Sequence, residues 1–234
     1  MEITVAYLFP DLLNLYGDRG NITVLKKRIA DREITPVVKE YSIDDEIDFE
    51  NIDILYLGGG SERSEELALN RLMELKDKIR SYAAKGGVIL GICSGYEMLG
   101  KTITKGKTTK NALGILDATC DYEKKRMIGD VVLQSELFGS VAGFENRYGS
   151  VNTGSLCPLG TVINAKSGRK DSEGVAEKNI VATHLHGPLL PKNPKIADYL
   201  IKQALENKYG KTELTELDDT LENKANEYIK TLFK

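Results

Sequence analysis

The chain has 234 residues, 41% of them hydrophobic, enough to bury one substantial core. Its net charge of −3, with basic and acidic residues interleaved, leaves no positive field for a nucleic acid or an anionic membrane surface. The three cysteines, Cys93, Cys120 and Cys157, stand far apart without a CxxC pair, so neither a zinc site nor a disulfide framework is indicated; with no leader and no run of membrane-spanning length, a cytoplasmic protein without membrane insertion is expected.

Residues 3–9 (ITVAYLF) form a continuous β-rich apolar run, expected as a strand buried on both faces. A polar, glycine-bearing turn follows and starts a helix containing Val24, Leu25 and Ile29, with Asp18 and Asn21 read as its caps. Residues 35–41 and 52–57 read as the next two strands. Gly58-Gly59-Gly60-Ser61 comes next. A long helix is then expected, with Leu72, Leu75, Ile79 and Ala83 at three- and four-residue steps, closed by Gly86 or Gly87.

Residues 86–101 (GGVILGICSGYEMLGK) organise the rest. A short apolar strand turns at Cys93-Ser94-Gly95 into a helical run, the pattern of a nucleophile elbow: small neighbours let the chain pass sharply from strand to helix and hold the reactive side chain over the sheet edge. Placed at a helix N-terminus, Cys93 is expected to favour its thiolate. Backbone N–H groups of the Gly59/Gly60 loop and of Ser94 are the candidate oxyanion donors. Residues 95–102 also satisfy the phosphate-loop pattern GxxxxGK[ST], but the loop interior is Tyr-Glu-Met-Leu and Ile103-Thr104-Lys105-Gly106 is a poor helix start, so a nucleotide cradle is not expected.

Between residues 102 and 179 helical periodicity disappears, and short alternating runs such as 128–133 and 161–165 suggest antiparallel strands added to the sheet. Residues 179–185 (NIVATHL) read as a late strand ending at His186-Gly187-Pro188. His184 and His186 are the only histidines, so a base for the cysteine must be one of them. In an extended segment both would share a face; position favours His186, nearest the strand's carboxyl end, with His184 as a structural side chain below it. Asn193-Pro194 opens a helix that Gly210 closes, and the tail bearing Leu214, Leu217, Leu221, Tyr228 and Leu232 is expected to pack back as an amphipathic helix. The expected fold is α/β, a mostly parallel sheet with helices on both faces and added antiparallel strands around a flavodoxin-like core.

The glycine-rich strand end, the elbow GICSGYEMLG and the late HGP turn together resemble class I glutamine amidotransferases of the cobyric-acid-synthase-like branch. The order of LNLYGDRGN, GGGSER, LGILD, KRMIGDV, GFEN and LHGPLLPKNP resembles, within that branch, the glutaminase subunits of lipid II isoglutaminyl synthases. The resemblance implies an amidotransferase domain over residues 1–210 with a C-terminal helix in 211–234. It implies L-glutamine as substrate, Cys93 as nucleophile, His186 as general base and Arg126 as a glutamine-binding residue. It further implies a heterodimer with a Mur-ligase-like subunit that holds ATP and Mg and amidates the D-glutamate of lipid II, this chain carrying no cofactor of its own. Pro188 stands where ordinary class I enzymes have an acid two residues after the histidine; relatives of this subunit share that lack, and the resemblance assigns the orienting carboxylate to the partner. Arg147 stands where relatives carry histidine and His184 where a tyrosine is common. Cobyric acid synthesis and a non-catalytic regulatory role are the alternative functions.

Overall fold

Strands apolar on both faces need a covering layer on each side, and the chain supplies it by alternating strands with helices. The computed structural model describes residues 1–211 and 213–233, the side chains of residues 123 and 124 excepted. The first half runs β1 (Glu2–Leu8), α1 (Arg19–Ala30), β2 (Thr35–Tyr41), β3 (Ile54–Leu57), α2 (Glu62–Glu74), α3 (Lys76–Ala84), β4 (Val88–Ile92) and α4 (Ser94–Leu99). There follow β5 (Thr102–Lys105), β6 (Thr108–Asn111), β7 (Thr119–Ser135), β8 (Gly139–Asn152), β9 (Gly160–Ala165), β10 (Ser172–Glu173), β11 (Val175–Glu177) and β12 (Ile180–Thr183). The helices α5 (Pro194–Tyr209) and α6 (Thr220–Thr231) complete the described chain.

The first sheet has the order β11-β12-β4-β3-β1-β2 and is parallel except for β11. Alternation along β1 sends Ile3, Val5 and Tyr7 to one face, where they pack with α1 and α5, and Ala6 and Leu8 to the other, with α2 and α3. The expected long helix is two helices. At Leu75 (φ −93°, ψ 3°) the chain turns, so that Leu69 and Leu72 before the break and Ile79 and Tyr82 after it all reach the same core.

The alternating runs of the second half do not extend this sheet as expected. They build a second one, β10-β9-β7-β5-β6, with β8 paired to β7; only β11 joins the first sheet antiparallel. The reason lies in β7 and β8, whose Val131, Leu133 and Val141 join the apolar cluster of α5, so this sheet closes the side of the domain instead of lengthening an edge.

The caps also differ from expectation. Neither Asp18 nor Asn193 caps a helix with its side chain. Asn193 instead pairs with Ala142 of β8, accepting from its N–H at 2.9 Å and donating to its carbonyl at 2.8 Å. Gly210 ends α5 in the left-handed conformation, as expected. The tail packs back through polar as well as apolar groups: Leu214 lies against the core and Leu221 is 76% exposed, while Asn226 of α6 donates to the Ser140 and Lys192 carbonyls. Arg28 of α1 and Arg32, just beyond that helix, reach Asp219 and the Thr215 carbonyl of the same segment, respectively.

Candidate active site

In the first sheet β4 lies between β3 and β12, so the carboxyl ends of three adjacent strands deliver the Gly58-Gly59-Gly60 loop, Cys93 and the segment 184–186 to one place. Cys93 links β4 to α4 at φ +53°, ψ −113°, a conformation that costs an L-residue strain and marks the elbow. The turn is tight around it: a Cβ on Gly95 would come within 2.3 Å of the Leu57 carbonyl oxygen. The Gly95 N–H donates to the Gly58 carbonyl and the Cys93 N–H to that of Thr183, tying the elbow to both neighbouring strands.

β12 stops at Thr183, before either histidine, so the two imidazoles are not bound to one face. His186 exchanges backbone hydrogen bonds with Phe144 of β8, and its Nδ1 lies 3.3 Å from Asp18 Oδ1. Asp18 Oδ2 accepts the Gly59 N–H at 2.8 Å. Asp18 is held in turn through its carbonyl by the Tyr56 hydroxyl, which receives an N–H from Asn21; Asn21 Oδ1 accepts the Leu190 N–H just beyond the histidine turn. Asp18 and His186 are fully buried. His186 Nε2, the nitrogen opposite the carboxylate, is buried and has no hydrogen-bond partner among the described residues. Gly59 separates this imidazole from the cysteine: its missing Cβ would stand 2.8 Å from His186 Cε1 and 3.1 Å from Cys93 Cβ.

Two expectations change. Gly59 does not offer its N–H to an oxyanion, because Asp18 already accepts it; among the described residues the donors left in this region are Gly60, whose N–H meets the Ser94 hydroxyl at 3.4 Å, and Ser94. The thiol of Cys93 is not favoured as thiolate. Burial pushes it well above the usual thiol range, the Glu97 and Asp18 carboxylates push it further, and the Ser94 N–H opposes them without prevailing.

Arg126 reaches the rim. Its guanidinium donates to the Tyr16 hydroxyl at 3.3 Å and lies over the Tyr148 ring, and Asn146 Nδ2 donates to the same hydroxyl at 2.7 Å. Tyr16 sits edge-on to His186, ring centroids 5.1 Å apart. Asp18, Tyr16 and Asn146 were missed as site residues; their only sequence signal is that the loop holding the first two follows a strand's carboxyl end.

His184 and Arg147 belong to a neighbouring buried network. His184 Nε2 faces Glu97 Oε1 at 3.2 Å and its Nδ1 faces Glu173 at 3.5 Å. Arg147 pairs with Glu145 and Glu173. The phosphate-loop pattern fails as expected: its interior is α4, and Thr102 opens a strand.

A family model for the CobB/CobQ-like glutamine amidotransferase domain matches residues 4–194. Subunit GatD of the glutamine-hydrolysing lipid II isoglutaminyl synthase of Staphylococcus aureus (strain N315) is 38% identical, with 97% of this chain and 95% of that protein covered. The corresponding subunit of Streptococcus pneumoniae (strain ATCC BAA-255 / R6) is 32% identical over 97% of this chain and 90% of its own length. A cobyric acid synthase of Listeria innocua is 29% identical, but this chain covers 40% of it. Among solved structures, PurLQS from Thermotoga maritima shares the fold with a TM-score of 0.63 at 15% identity, covering 86% of this chain and 98% of that one.

Proposed function

The chain belongs to the CobB/CobQ-like glutamine amidotransferase family, and from that premise we propose that it is the glutaminase subunit of a lipid II isoglutaminyl synthase, hydrolysing L-glutamine through Cys93 and His186. The observation that carries the mechanism is the Asp18–His186 pair with its unpartnered Nε2, set across Gly59 from the elbow cysteine.

In this reading Asp18 Oδ1 accepts the Nδ1 proton of His186 and fixes the tautomer whose Nε2 is a base. Nε2 takes the Cys93 proton as the sulfur attacks the side-chain carboxamide carbon of glutamine. Because the resting thiol is held protonated, attack and deprotonation are coupled to substrate arrival. The oxyanion is stabilised by the Gly60 and Ser94 N–H groups. The imidazolium returns its proton to the departing nitrogen, releasing ammonia and leaving a glutamyl thioester. Water, deprotonated by Nε2, then cleaves the thioester to glutamate and restores the thiol.

The ammonia is consumed, on this proposal, by a Mur-ligase-like partner subunit that binds ATP and Mg and amidates the D-glutamate of lipid II in the cytoplasm. The 38% and 32% identical relatives, both subunits of that synthase over nearly their whole length, support this acceptor over cobyric acid. Ammonia and glutamate release from L-glutamine, with and without the ligase partner, tests the reading. Wild type should turn over and Cys93→Ala should not; equal turnover in the variant sinks the mechanism.

A further inference from the structure

What sets the separation of Asp18 and His186 lies outside both side chains. The segment 18–21 and the turn 186–190 meet in step: Asp18 faces His186 at 3.3 Å, Gly20 faces Pro188, and Asn21 Oδ1 accepts the Leu190 N–H at 2.9 Å. The middle contact is tight. A Cβ on Gly20 would stand 2.4 Å from Pro188 Cγ, so the proline ring lies directly on the first turn of α1. The other end of the Asn21 amide turns inward, where its Nδ2 donates to the Tyr56 hydroxyl at 3.1 Å, and that hydroxyl donates to the Asp18 carbonyl at 3.1 Å. Burial first, and then the Asp18 charge, push the Tyr56 phenol well above its ordinary range, so it stays a donor. One buried amide therefore holds the backbone of the carboxylate residue with one end and the backbone of the histidine turn with the other.

Resting on the glutaminase reading, we propose that Asn21 and Gly20 are positioning residues for its base: Asn21 through the Tyr56 hydroxyl and the Leu190 N–H, and Gly20 by admitting Pro188, set the distance between the Asp18 carboxylate and the His186 imidazole. A carboxylate fixes a histidine tautomer only at hydrogen-bond distance, and 3.3 Å lies at the long end of that range. Loosening either tie deprives Nδ1 of its acceptor and lets the proton move to Nε2, which then cannot serve as a base. The cost falls on the chemical step and leaves glutamine binding alone.

The chain has two histidines, so labelling with [15N]histidine resolves both imidazoles in the full-length protein by NMR. With its ring neutral, wild-type His186 should appear as one tautomer, protonated at Nδ1. In Asn21→Ala, in Gly20→Ala and in Tyr56→Phe, which keeps the ring and removes only the hydroxyl, the two His186 nitrogens should move toward a common position as tautomers exchange. His184 should keep its wild-type shifts and so report an intact fold. In each variant kcat for glutamine should fall roughly tenfold with KM changed by less than about twofold. Alanine is the better helix former at position 20, so that loss would not come from a weakened α1. His186 nitrogens that stay at their wild-type positions in all three variants overturn the proposal, whatever happens to turnover. Tautomer exchange in the variants of a protein whose wild type releases no ammonia from glutamine would support the positioning of His186 and sink the glutaminase reading instead.

Discussion

Asp18 carries a double load at this site, one oxygen on His186 Nδ1 and the other on the Gly59 N–H, so it fixes both the imidazole and the loop that lies against Cys93. The position two residues beyond the histidine, Pro188, carries no acid. The chain supplies a carboxylate from 168 residues earlier instead. We expect Asp18→Asn to lower kcat for glutamine hydrolysis on the order of a thousandfold with little change in KM, since an amide permits the wrong imidazole tautomer. Steady-state ammonia release decides it; a loss confined to KM would remove Asp18 from the base. The raised Cys93 thiol gives a second expectation with a definite sign. Its proton is retained through neutral pH, so the alkylation rate of Cys93 in the empty protein should climb about tenfold per pH unit from pH 7 to 9, where a preformed thiolate would give a plateau. Cys93 was legible because an elbow is a local pattern of small residues around one side chain. Asp18 was not: its pairing with His186 is made by the adjacency of β1, β3, β4 and β12, and locally it looks like a helix cap.

At the scale of the element, the elbow is strained at its central residue. Cys93 stands at φ +53° between a strand and a helix of six residues, and strain of this kind costs on the order of 1–3 kcal/mol. Ordinary positions favour alanine over glycine by 0.5 to about 1 kcal/mol. Here the order should invert, with Cys93→Gly more stable than Cys93→Ala by about 1 kcal/mol in urea unfolding; the ordinary order would mean that the elbow stores no strain. Strand and helix identities in the first half were readable from apolar periodicity, because each element there is buried along a full face. The break at Leu75 was not, since the leucines on either side keep helical spacing through it. Nor was the second sheet: alternation identifies strands but carries no information on which sheet they join.

Across the whole molecule, a buried chain of charges joins the two sheets. Glu145 on β8 meets Arg169, Arg169 meets Glu173 on β10, Glu173 accepts the His184 N–H beyond β12, and His184 meets Glu97 on α4. Glu97 and Glu65 of α2 each lie 2.9 Å from the Tyr122 hydroxyl of β7, whose single proton they share. Two of its carboxyls, Glu173 and Glu65, are shifted in opposite directions. Burial raises the Glu173 carboxyl, but the hydrogen bond and charge of His184 and the charges of Arg147 and Arg169 outweigh it and hold it well below the ordinary 4.5. A depressed native value stabilises the fold above the unfolded pKa, and that stability is lost as pH falls through the native one. Glu65 is raised by burial and by Glu97, so its contribution is complete below 4.5 and is lost as pH rises through its native value. Removing one partner from a buried network leaves uncompensated charge, so Glu173→Gln should cost about 3 kcal/mol at pH 7. Urea midpoints between pH 7 and 3 should show this gap closing below about pH 4.5, because wild type loses there what the variant never had. For Glu65→Gln the difference from wild type should shift in the variant's favour as pH rises from 4 to 7. A gap for Glu173→Gln that stays constant to pH 3 would mean that its charge is not what holds the sheets together, and that the seam is maintained by the shape of the hydrogen bonds alone.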